Sequence, residues 1–132
     1  MIDKRSVSSA SPFEAKFGFC RARRIDRVVH VAGTAPIGPD GKTFGVGDPA
    51  AQARRCFDIA KEALQALDAD ISDVVRTRMF LTRIDDWEVI GAVHGEYFGD
   101  VRPVSTMVEV SRLIDPDWRI EIEVEALIGA GG

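Results

Sequence analysis

The sequence predicts an α+β domain, and three observations carry that prediction. Residues 119–128 alternate between apolar side chains and glutamates, the pattern of a strand with one buried face. Residues 49–67 instead place apolar side chains at helical spacing. The predicted elements follow in the order strands, helix, strand, helix, two strands. Two helices cannot cover both faces of a sheet of five or six strands, so we expect them on one face and the other face solvated or buried in an oligomer.

Length and composition restrict the class of protein. A chain of 132 residues with 45% hydrophobic and 29% charged residues is typical of one globular domain. The net charge of −4 gives no general attraction to nucleic acid or anionic lipid, and no apolar run is long enough for a membrane helix. Cys20 and Cys56 lie far apart, which favours a reduced, cytoplasmic setting without a disulfide framework. We expect a flexible arm at 1–11, a single domain at 12–128 and a flexible tail at 129–132.

The first half of the chain predicts a hairpin, a loop and a helix. Strands are expected at 21–25 and 28–32, joined by a turn at Asp26-Arg27. Residues 33–47 are loop-like, with a turn signal at 38–41 and a short strand at 42–44. Asp48 is expected to cap the helix, and Pro49 suits its first position.

The second half predicts a strand, a helix and two final strands. In the strand at 74–81 we expect Val75, Thr77, Met79 and Leu81 on one face and Arg76 and Arg78 on the other. Asp85 or Asp86 is expected to cap a helix that ends at Gly99, with a stripe of Trp87, Ile90, His94 and Tyr97 or Phe98. Strands at 106–113 and 119–128 follow.

Two glycine-rich patterns resemble phosphate-binding loops, but neither fits its context. Gly41-Lys42-Thr43 matches the end of a P-loop, yet Pro36 stands where the first glycine belongs. Residues 45–50 fit a dinucleotide-binding pattern, but Asp48 would place a carboxylate where a pyrophosphate needs free N–H groups. We interpret both as turns and helix capping.

The titratable residues leave several alternatives open. His30 and His94 share no metal-ligand spacing with cysteines or carboxylates, so no metal site is predicted and each histidine is more easily explained structurally. The arginines at 21–27 are split between strand faces and lack interleaved aromatics, which makes nucleic acid an improbable partner. The glutamates at 121, 123 and 125 fit a solvated face. If an oligomer buries that face, one of them becomes a candidate acid–base group.

The combination of short motifs along the chain resembles the YjgF/RidA family of reactive-intermediate imine deaminases, also called endoribonuclease L-PSP-like proteins. The resemblance covers about residues 12–128 and rests on GFCRA at 18–22, VAGTAP at 31–36, QAR at 52–54, VVRT at 74–77, FG at 98–99, RP at 102–103, MVEV at 107–110 and IEIE at 120–123. It implies a chorismate-mutase-like α+β fold with a mixed sheet of about six strands. It also implies a homotrimer whose sheets form a central barrel, with a small-molecule cleft at each subunit interface.

The same resemblance implies residue roles and a chemistry. Family members hydrolyse 2-aminoacrylate and related enamines or imines without a cofactor. Glu121 matches the glutamate that positions the attacking water and is the expected catalytic residue. Ser105 matches an arginine that grips the substrate carboxylate, and a hydroxyl cannot replace that bidentate ion pair. Phe19 stands where family members usually have a tyrosine, and Gly91 stands where active members have an asparagine. The expected ligand-binding residues are these two together with Gly33, Thr34, Ser105, Thr106 and Met107.

These implications predict an arginine-less subgroup, in which 2-aminoacrylate deaminase activity is lost or altered. One alternative is a hydrolase of an imine or enamine without a carboxylate, with Glu121 steering water and Ser105 or Thr106 binding the polar end. Another alternative is a regulatory binding protein or an endoribonuclease. The acidic chain and the split arginine cluster speak against the ribonuclease.

Overall fold

The computed structural model describes residues 2–9 and 11–131 and contains one six-stranded mixed sheet. The strands are β1 (Lys4–Val7), β2 (Ala22–Ile25), β3 (Val28–Thr34), β4 (Val74–Leu81), β5 (Val104–Glu109) and β6 (Ile120–Leu127). Their order is β1-β2-β3-β6-β4-β5; β4 and β5 run parallel, and the other neighbours run antiparallel. The helices are α1 (Pro12–Phe17), α2 (Pro49–Ala66) and α3 (Trp87–Phe98), with 3-10 turns at Ile71–Asp73 and Ile84–Asp86. The α+β prediction is therefore confirmed.

The core lies between the sheet and the two long helices. Phe57 and Leu64 of α2 and Ile90 and Phe98 of α3 are buried against alternate residues of the strands. On β6 the buried residues are Ile120, Ile122, Val124 and Ala126, as the alternation predicts. The start of α2 is also as predicted, because the Asp48 carboxylate accepts a hydrogen bond from the backbone N–H of Ala51 at 3.1 Å.

The sheet face opposite the long helices carries charges of both signs, as expected from the alternation. Arg78 pairs with Glu125 at 3.0 Å and lies 3.6 Å from Glu123. Arg76 lies 3.7 Å from Glu125. These pairs join β4 to β6, so ion pairs on this face form between strands within one protomer.

The N-terminal segment differs from the prediction. Residues 1–11 are expected to be a flexible arm, yet Lys4–Val7 form β1 along the edge of β2. Met1 and Ala10 of that arm, and Gly132 of the expected tail, lie outside the described residues. A short helix, α1, follows; Ser11 caps it, and Gly18 ends it in the left-handed conformation at φ 80°. Arg5 of this edge strand forms ion pairs with Asp3 and Asp68.

Three local predictions are wrong. The register of β4 against β6 shifts between Val74 and Arg76, and this bulge buries Val74 and leaves Val75 exposed. Trp87 is exposed at the first position of α3, and Val93 takes a buried place in the stripe instead. The strand expected at 106–113 runs from Val104 to Glu109, because its pairing with β4 ends there.

Two further elements are smaller or differently held than expected. The strand expected at 42–44 is reduced to a bridge between Ile37 and Thr43. Asp86 precedes α3, but its carboxylate accepts hydrogen bonds from Arg119 at 2.7 and 2.9 Å rather than capping the helix. In the described part of the chain, every helix is too short or too polar to cross a membrane.

Candidate functional site

Glu121 meets the backbone of β3 at a bulge. The register between β3 and β6 shifts between Val31 and Thr34, so Gly33 lies in the irregular stretch. A Cβ on Gly33 would be 3.3 Å from the carboxyl carbon of Glu121 and 3.4 and 3.5 Å from its oxygens. Glycine at position 33 therefore lets the carboxylate lie directly against the main chain.

Arg21 is the cation beside this carboxylate. Its Nη2 donates a hydrogen bond to the carbonyl oxygen of Gly33 at 2.7 Å. Its Nε is the one buried side-chain nitrogen or oxygen among the described residues without a hydrogen-bond partner. Arg21 and Glu121 attract each other electrostatically without forming a direct ion pair among the described contacts.

The surroundings of Glu121 favour its neutral form. Burial raises the pKa of the Glu121 carboxyl, Arg21 opposes that rise, and the negative charge of Glu123 adds to it. A half-buried carboxyl with a raised pKa can carry a proton closer to neutral pH than an exposed one can. This is the chemistry expected of a general acid or base.

A concavity of about 470 Å³ lies on the same side of the sheet. Phe19, 46% exposed, lines it together with Cys20 and Arg23, and Glu123 forms part of its floor. Arg21, Gly33 and Glu121 do not line this concavity. These three residues are called the Glu121 half-site below.

A second polar cluster lies near the edge of the sheet, under α3. Thr77 of β4 donates a hydrogen bond to Ser105 Oγ at 2.8 Å, and the Thr77 hydroxyl is also 2.8 Å from His94 Nε2. Thr77 is completely buried, and Ser105 is exposed on the edge strand. His94 is half-buried against Phe98, with ring centroids 4.6 Å apart. Burial lowers the pKa of the His94 imidazole, so the neutral ring is favoured.

Two more of the predicted residues border this cluster. Gly91 precedes His94 by one turn of α3, and a Cβ at Gly91 would meet no atom within 4 Å among those described. Met107 follows Ser105 on the same face of β5 and packs against the core. Thr77, Gly91, His94, Ser105 and Met107 are called the Ser105 half-site below.

The two half-sites lie on opposite faces of the sheet. Glu121 pairs with Phe80 across β6 and β4, whereas Ser105 pairs with Thr77 across β5 and β4. Because side chains alternate along a strand, Phe80 and Thr77 point to opposite faces. One protomer therefore does not bring Ser105 and Glu121 into the same cleft.

Thr34 and Thr106, the remaining predicted ligand-binding residues, belong to neither half-site. Thr34 is completely buried, and its hydroxyl donates to the carbonyl oxygen of Ala32 at 2.8 Å, so its side chain is not directed to a ligand. Thr106 pairs with Arg78 and lies on the charged face, away from Ser105.

Arg21, Thr77 and the contact between His94 and Thr77 are not among the site residues that the sequence predicts. The arginine cluster does contain Arg21, but only the bulge at Gly33 brings its guanidinium to Glu121. The Ser105–Thr77–His94 chain depends on parallel pairing between strands 28 residues apart, and no local pattern signals that pairing.

The other chemically interesting residues belong to neither half-site. Cys56 is fully buried, and burial raises the pKa of its thiol, which is the opposite of what a nucleophile needs. His30 is exposed on the charged face, 3.9 Å from Glu125. Within residues 2–9 and 11–131, no group of three or more histidine, cysteine or carboxylate side chains could hold a metal ion.

A mixed sheet of this order, with two long helices on one face, makes this a small α+β protein. The family model for endoribonuclease L-PSP matches residues 9–128. This chain belongs to that family, also known as the YjgF/RidA family.

Relatives of known sequence or structure agree with this assignment. A crystal structure of a YjgF/YER057c/UK114 family member from Mycobacterium tuberculosis has a TM-score of 0.86 and 42% identity, covering 96% of this chain and 100% of that one. An uncharacterized protein from Streptomyces coelicolor is 40% identical over 96% of this chain and 93% of its own. The 3-aminoacrylate deaminase RutC of Acinetobacter baylyi is 35% identical over 76% of this chain and 79% of its own.

Proposed function

We propose that this protein hydrolyses a small enamine or imine in a cleft between the subunits of a homotrimer. The observation that carries the proposal is the carboxyl of Glu121, half-buried against Gly33 and beside the cation of Arg21. The similarity to a 3-aminoacrylate deaminase supports this class of reaction, because 3-aminoacrylate is an enamine. The free cysteines Cys20 and Cys56 support a reduced, cytoplasmic location.

The reaction needs one group that can give and take a proton. Protonation of the enamine carbon forms an iminium ion, water adds to the iminium carbon, and the nitrogen leaves as ammonia. An enamine and one water thus become a carbonyl compound and ammonia, without an oxidant or reductant. Protonated Glu121 can supply the proton, and the resulting carboxylate can take one from the attacking water.

Arg21 supports this cycle electrostatically. Its positive charge stabilises the Glu121 carboxylate that forms after proton transfer, while burial stabilises the acid that starts the cycle. The two opposing influences keep the carboxyl able to titrate. Arg21 is therefore a positioning residue, and Glu121 is the residue that would touch the reacting atoms.

A complete site requires a second protomer. Because the Glu121 and Ser105 half-sites lie on opposite sheet faces, a ligand that contacts both must lie between two copies of the chain. A homotrimer with cyclic symmetry supplies three such clefts through one repeated interface. The exposed edge strand β5, with Val104 58% and Val108 40% exposed, gives that interface apolar surface to bury.

Ser105 determines which substrates suit the cleft. It offers one hydroxyl and no positive charge where a substrate carboxylate would otherwise be bound. We therefore propose that activity toward 2-aminoacrylate is lost or altered, and that the substrate has an uncharged end.

The test compares hydrolysis by the wild-type protein and by Glu121→Gln. Imines without a carboxylate are generated by an amine oxidase, and semicarbazide traps whatever is not hydrolysed. We expect wild-type protein to suppress the trapped product and Glu121→Gln to be slower by about 100-fold or more, because it cannot transfer a proton. Glu62→Gln, an exposed change on α2, serves as the matched control and should keep full activity. Equal rates for Glu121→Gln and wild type, or no hydrolysis by wild type, would refute the proposal.

A further inference from the structure

We infer that His94, acting through the buried hydroxyl of Thr77, positions the hydroxyl of Ser105 as the specificity-determining group for an uncharged carbonyl or carboxamide on the ligand. The inference rests on the proposed function, since it names the chemistry of the second half of the same cleft. It stands on two 2.8 Å contacts that meet at Thr77 Oγ1, one to Ser105 Oγ and one to His94 Nε2.

Ser105, Thr77 and His94 form a hydrogen-bonded chain in which each proton can be donated to only one acceptor. A threonine hydroxyl has one proton to donate, so Thr77 can donate to only one of its two partners. When it donates to Ser105, it accepts from the Nε2–H of neutral His94, and the proton of Ser105 is left for a ligand. When it donates to His94, Ser105 donates to Thr77 and presents only lone pairs to the ligand. The tautomer of His94 therefore sets the direction in which Ser105 bonds.

Burial makes this coupling strong. Thr77 is completely buried, so a broken bond to either partner cannot be replaced by water. His94 packs against both Phe57 and Phe98, with ring centroids 5.8 and 4.6 Å away, which restrains the direction of its ring. The buried Thr77 and the half-buried His94 thus orient the hydroxyl of Ser105, although Ser105 itself is exposed on an edge strand.

The cluster is electrically neutral. Burial alone lowers the pKa of His94, and no charged side chain among the described residues contributes to that shift. The two arginines that flank Thr77 on β4, Arg76 and Arg78, point to the other sheet face and are engaged with Glu123 and Glu125. A carboxylate bound at Ser105 would therefore lose hydration without meeting a positive charge from this half-site.

A neutral polar group suits the cluster better. A carboxamide has an oxygen that accepts from Ser105 and an NH₂ that donates to it, so it fits either direction of the chain. A carboxylate can only accept, and it fits one direction. The open space at Gly91, one turn before His94, leaves room for such a group.

The test uses pyruvamide and pyruvate, which differ only in carrying a carboxamide or a carboxylate. Their dissociation constants are measured by NMR titration of the full-length protein. We expect pyruvamide to bind about tenfold more tightly, because the site satisfies its hydrogen bonds and leaves the carboxylate uncompensated. Pyruvate binding as tightly as pyruvamide, or no binding of either compound, would overturn the inference.

Variants separate this positioning role from a merely structural one. Thr77→Val removes the hydroxyl at constant shape, and His94→Phe keeps the aromatic packing. Both should reduce the ratio of the two dissociation constants several-fold, because they remove the hydrogen bonds that orient Ser105. Thr77→Ser should retain the preference, and Thr82→Val, a change of the same kind outside the site, should leave it unaltered. An undiminished preference in folded Thr77→Val would contradict the inference.

A spectroscopic readout and a catalytic control complete the design. Pyruvamide should shift the ring ¹⁵N resonances of His94 in wild type but not in Thr77→Val, since the signal depends on the hydroxyl between them. Glu121→Gln should keep the carboxamide preference while losing hydrolysis. Hydrolysis with no carboxamide preference would refute this inference alone, and preference without hydrolysis in wild type would refute the proposed function alone.

Discussion

The carboxyl group of Glu121 lies against the backbone of Gly33, so close that a Cβ on that residue would be 3.3 Å from the carboxyl carbon. The contact exists because β3 bulges between Val31 and Thr34 while β6 continues straight. The bulge therefore brings main chain to the half-buried acid. It also makes the position of the carboxylate sensitive to one methyl group.

Gly33→Ala should reduce hydrolysis without unfolding the protein. The new methyl group would push the flexible end of Glu121 by a few tenths of an ångström, and we expect about a tenfold lower kcat, since small misplacements of a catalytic group are costly. Gly95→Ala on α3, where a Cβ meets open space in the described structure, is the matched control and should keep its activity. An unchanged kcat in Gly33→Ala would show that this close approach does not matter to the reaction.

Arg21→Met should move the pH dependence of hydrolysis toward alkaline pH. Arg21 lowers the pKa of Glu121 against the larger effect of burial, so its removal lets the pKa rise further. The limb of the rate profile that reports loss of the Glu121 proton should shift upward, and Arg21→Lys should restore much of the wild-type profile. Profiles of kcat against pH for the three proteins provide the measurement, and superimposable limbs would contradict the prediction.

The same variant should show a pH-dependent loss of stability. The pKa of Glu121 is raised on folding, so the folded state binds more protons than the unfolded state between the two pKa values. That contribution is fully present below the unfolded pKa of about 4.5 and is lost as pH rises through the folded pKa. Because Arg21→Met raises the folded pKa further, urea denaturation should show a larger deficit relative to wild type at pH 7.5 than at pH 4.5. Equal deficits at the two pH values would argue against coupling between Arg21 and Glu121.

Ser105→Arg should create or increase activity toward 2-aminoacrylate. A charged hydrogen bond between a guanidinium and the substrate carboxylate contributes about 2–5 kcal/mol, so kcat/KM should rise by about 30-fold or more. Ser105→Met has a long side chain without charge and should give no gain. Coupled release of pyruvate measures both rates. A wild-type rate already equal to that of Ser105→Arg would show that the cleft binds the carboxylate in another way.

Gln52 joins α2 to the loop before β6 and should be important for stability. Its Nε2 donates to the carbonyl oxygens of Asp117 at 2.9 Å and Gly45 at 3.3 Å, and its Oε1 accepts from the N–H of Arg119 at 2.7 Å. Gln52→Met keeps the volume but leaves buried backbone groups unpaired, which should cost about 2–4 kcal/mol. Urea denaturation should show this loss, whereas exposed Gln65→Met should stay within about 0.5 kcal/mol of wild type. A loss below about 1 kcal/mol for Gln52→Met would mean that water replaces these bonds.

Local signals in the sequence account for the elements that were predicted well. The bounds of β4 match the predicted strand at 74–81, and those of β6 lie within the predicted 119–128. The beginning of α2 follows from Asp48 and Pro49, whose capping roles depend on neighbours a few residues away. In contrast, β1 has no alternating apolar pattern and is formed through backbone pairing with β2.

The candidate site was less accessible to sequence reasoning, for a physical reason. Glu121 could be named because its strand has a clear pattern and a family resemblance. Its contact with Gly33 depends on a bulge, and the link from Ser105 to His94 depends on the register of parallel β4 and β5. Both are set by tertiary packing and by the pairing of strands far apart in the chain. Local sequence patterns therefore do not predict them.

The assembly prediction follows from the placement of the half-sites on opposite faces of the sheet. Light scattering should give about 43 kDa, three times the chain mass of 14.4 kDa. A mass corresponding to a dimer would refute the trimer, and a monomer would in addition leave no cleft that contains both half-sites.

A mixing experiment tests whether the site is shared between protomers. Glu121→Gln should inactivate the first half-site, and Ser105→Phe should block the second with a bulky ring. When the two inactive proteins are unfolded together and refolded as mixed trimers, some clefts receive a wild-type Glu121 half-site from one variant and a wild-type Ser105 half-site from the other. Random assembly of two variants in equal amounts should place intact halves together in about a quarter of the clefts and restore a similar fraction of activity. If each site lay within a single chain, every chain would carry one defect and no activity would return, so failure of mixed trimers to regain hydrolysis would contradict the shared cleft. Each variant refolded alone is the control and should remain inactive.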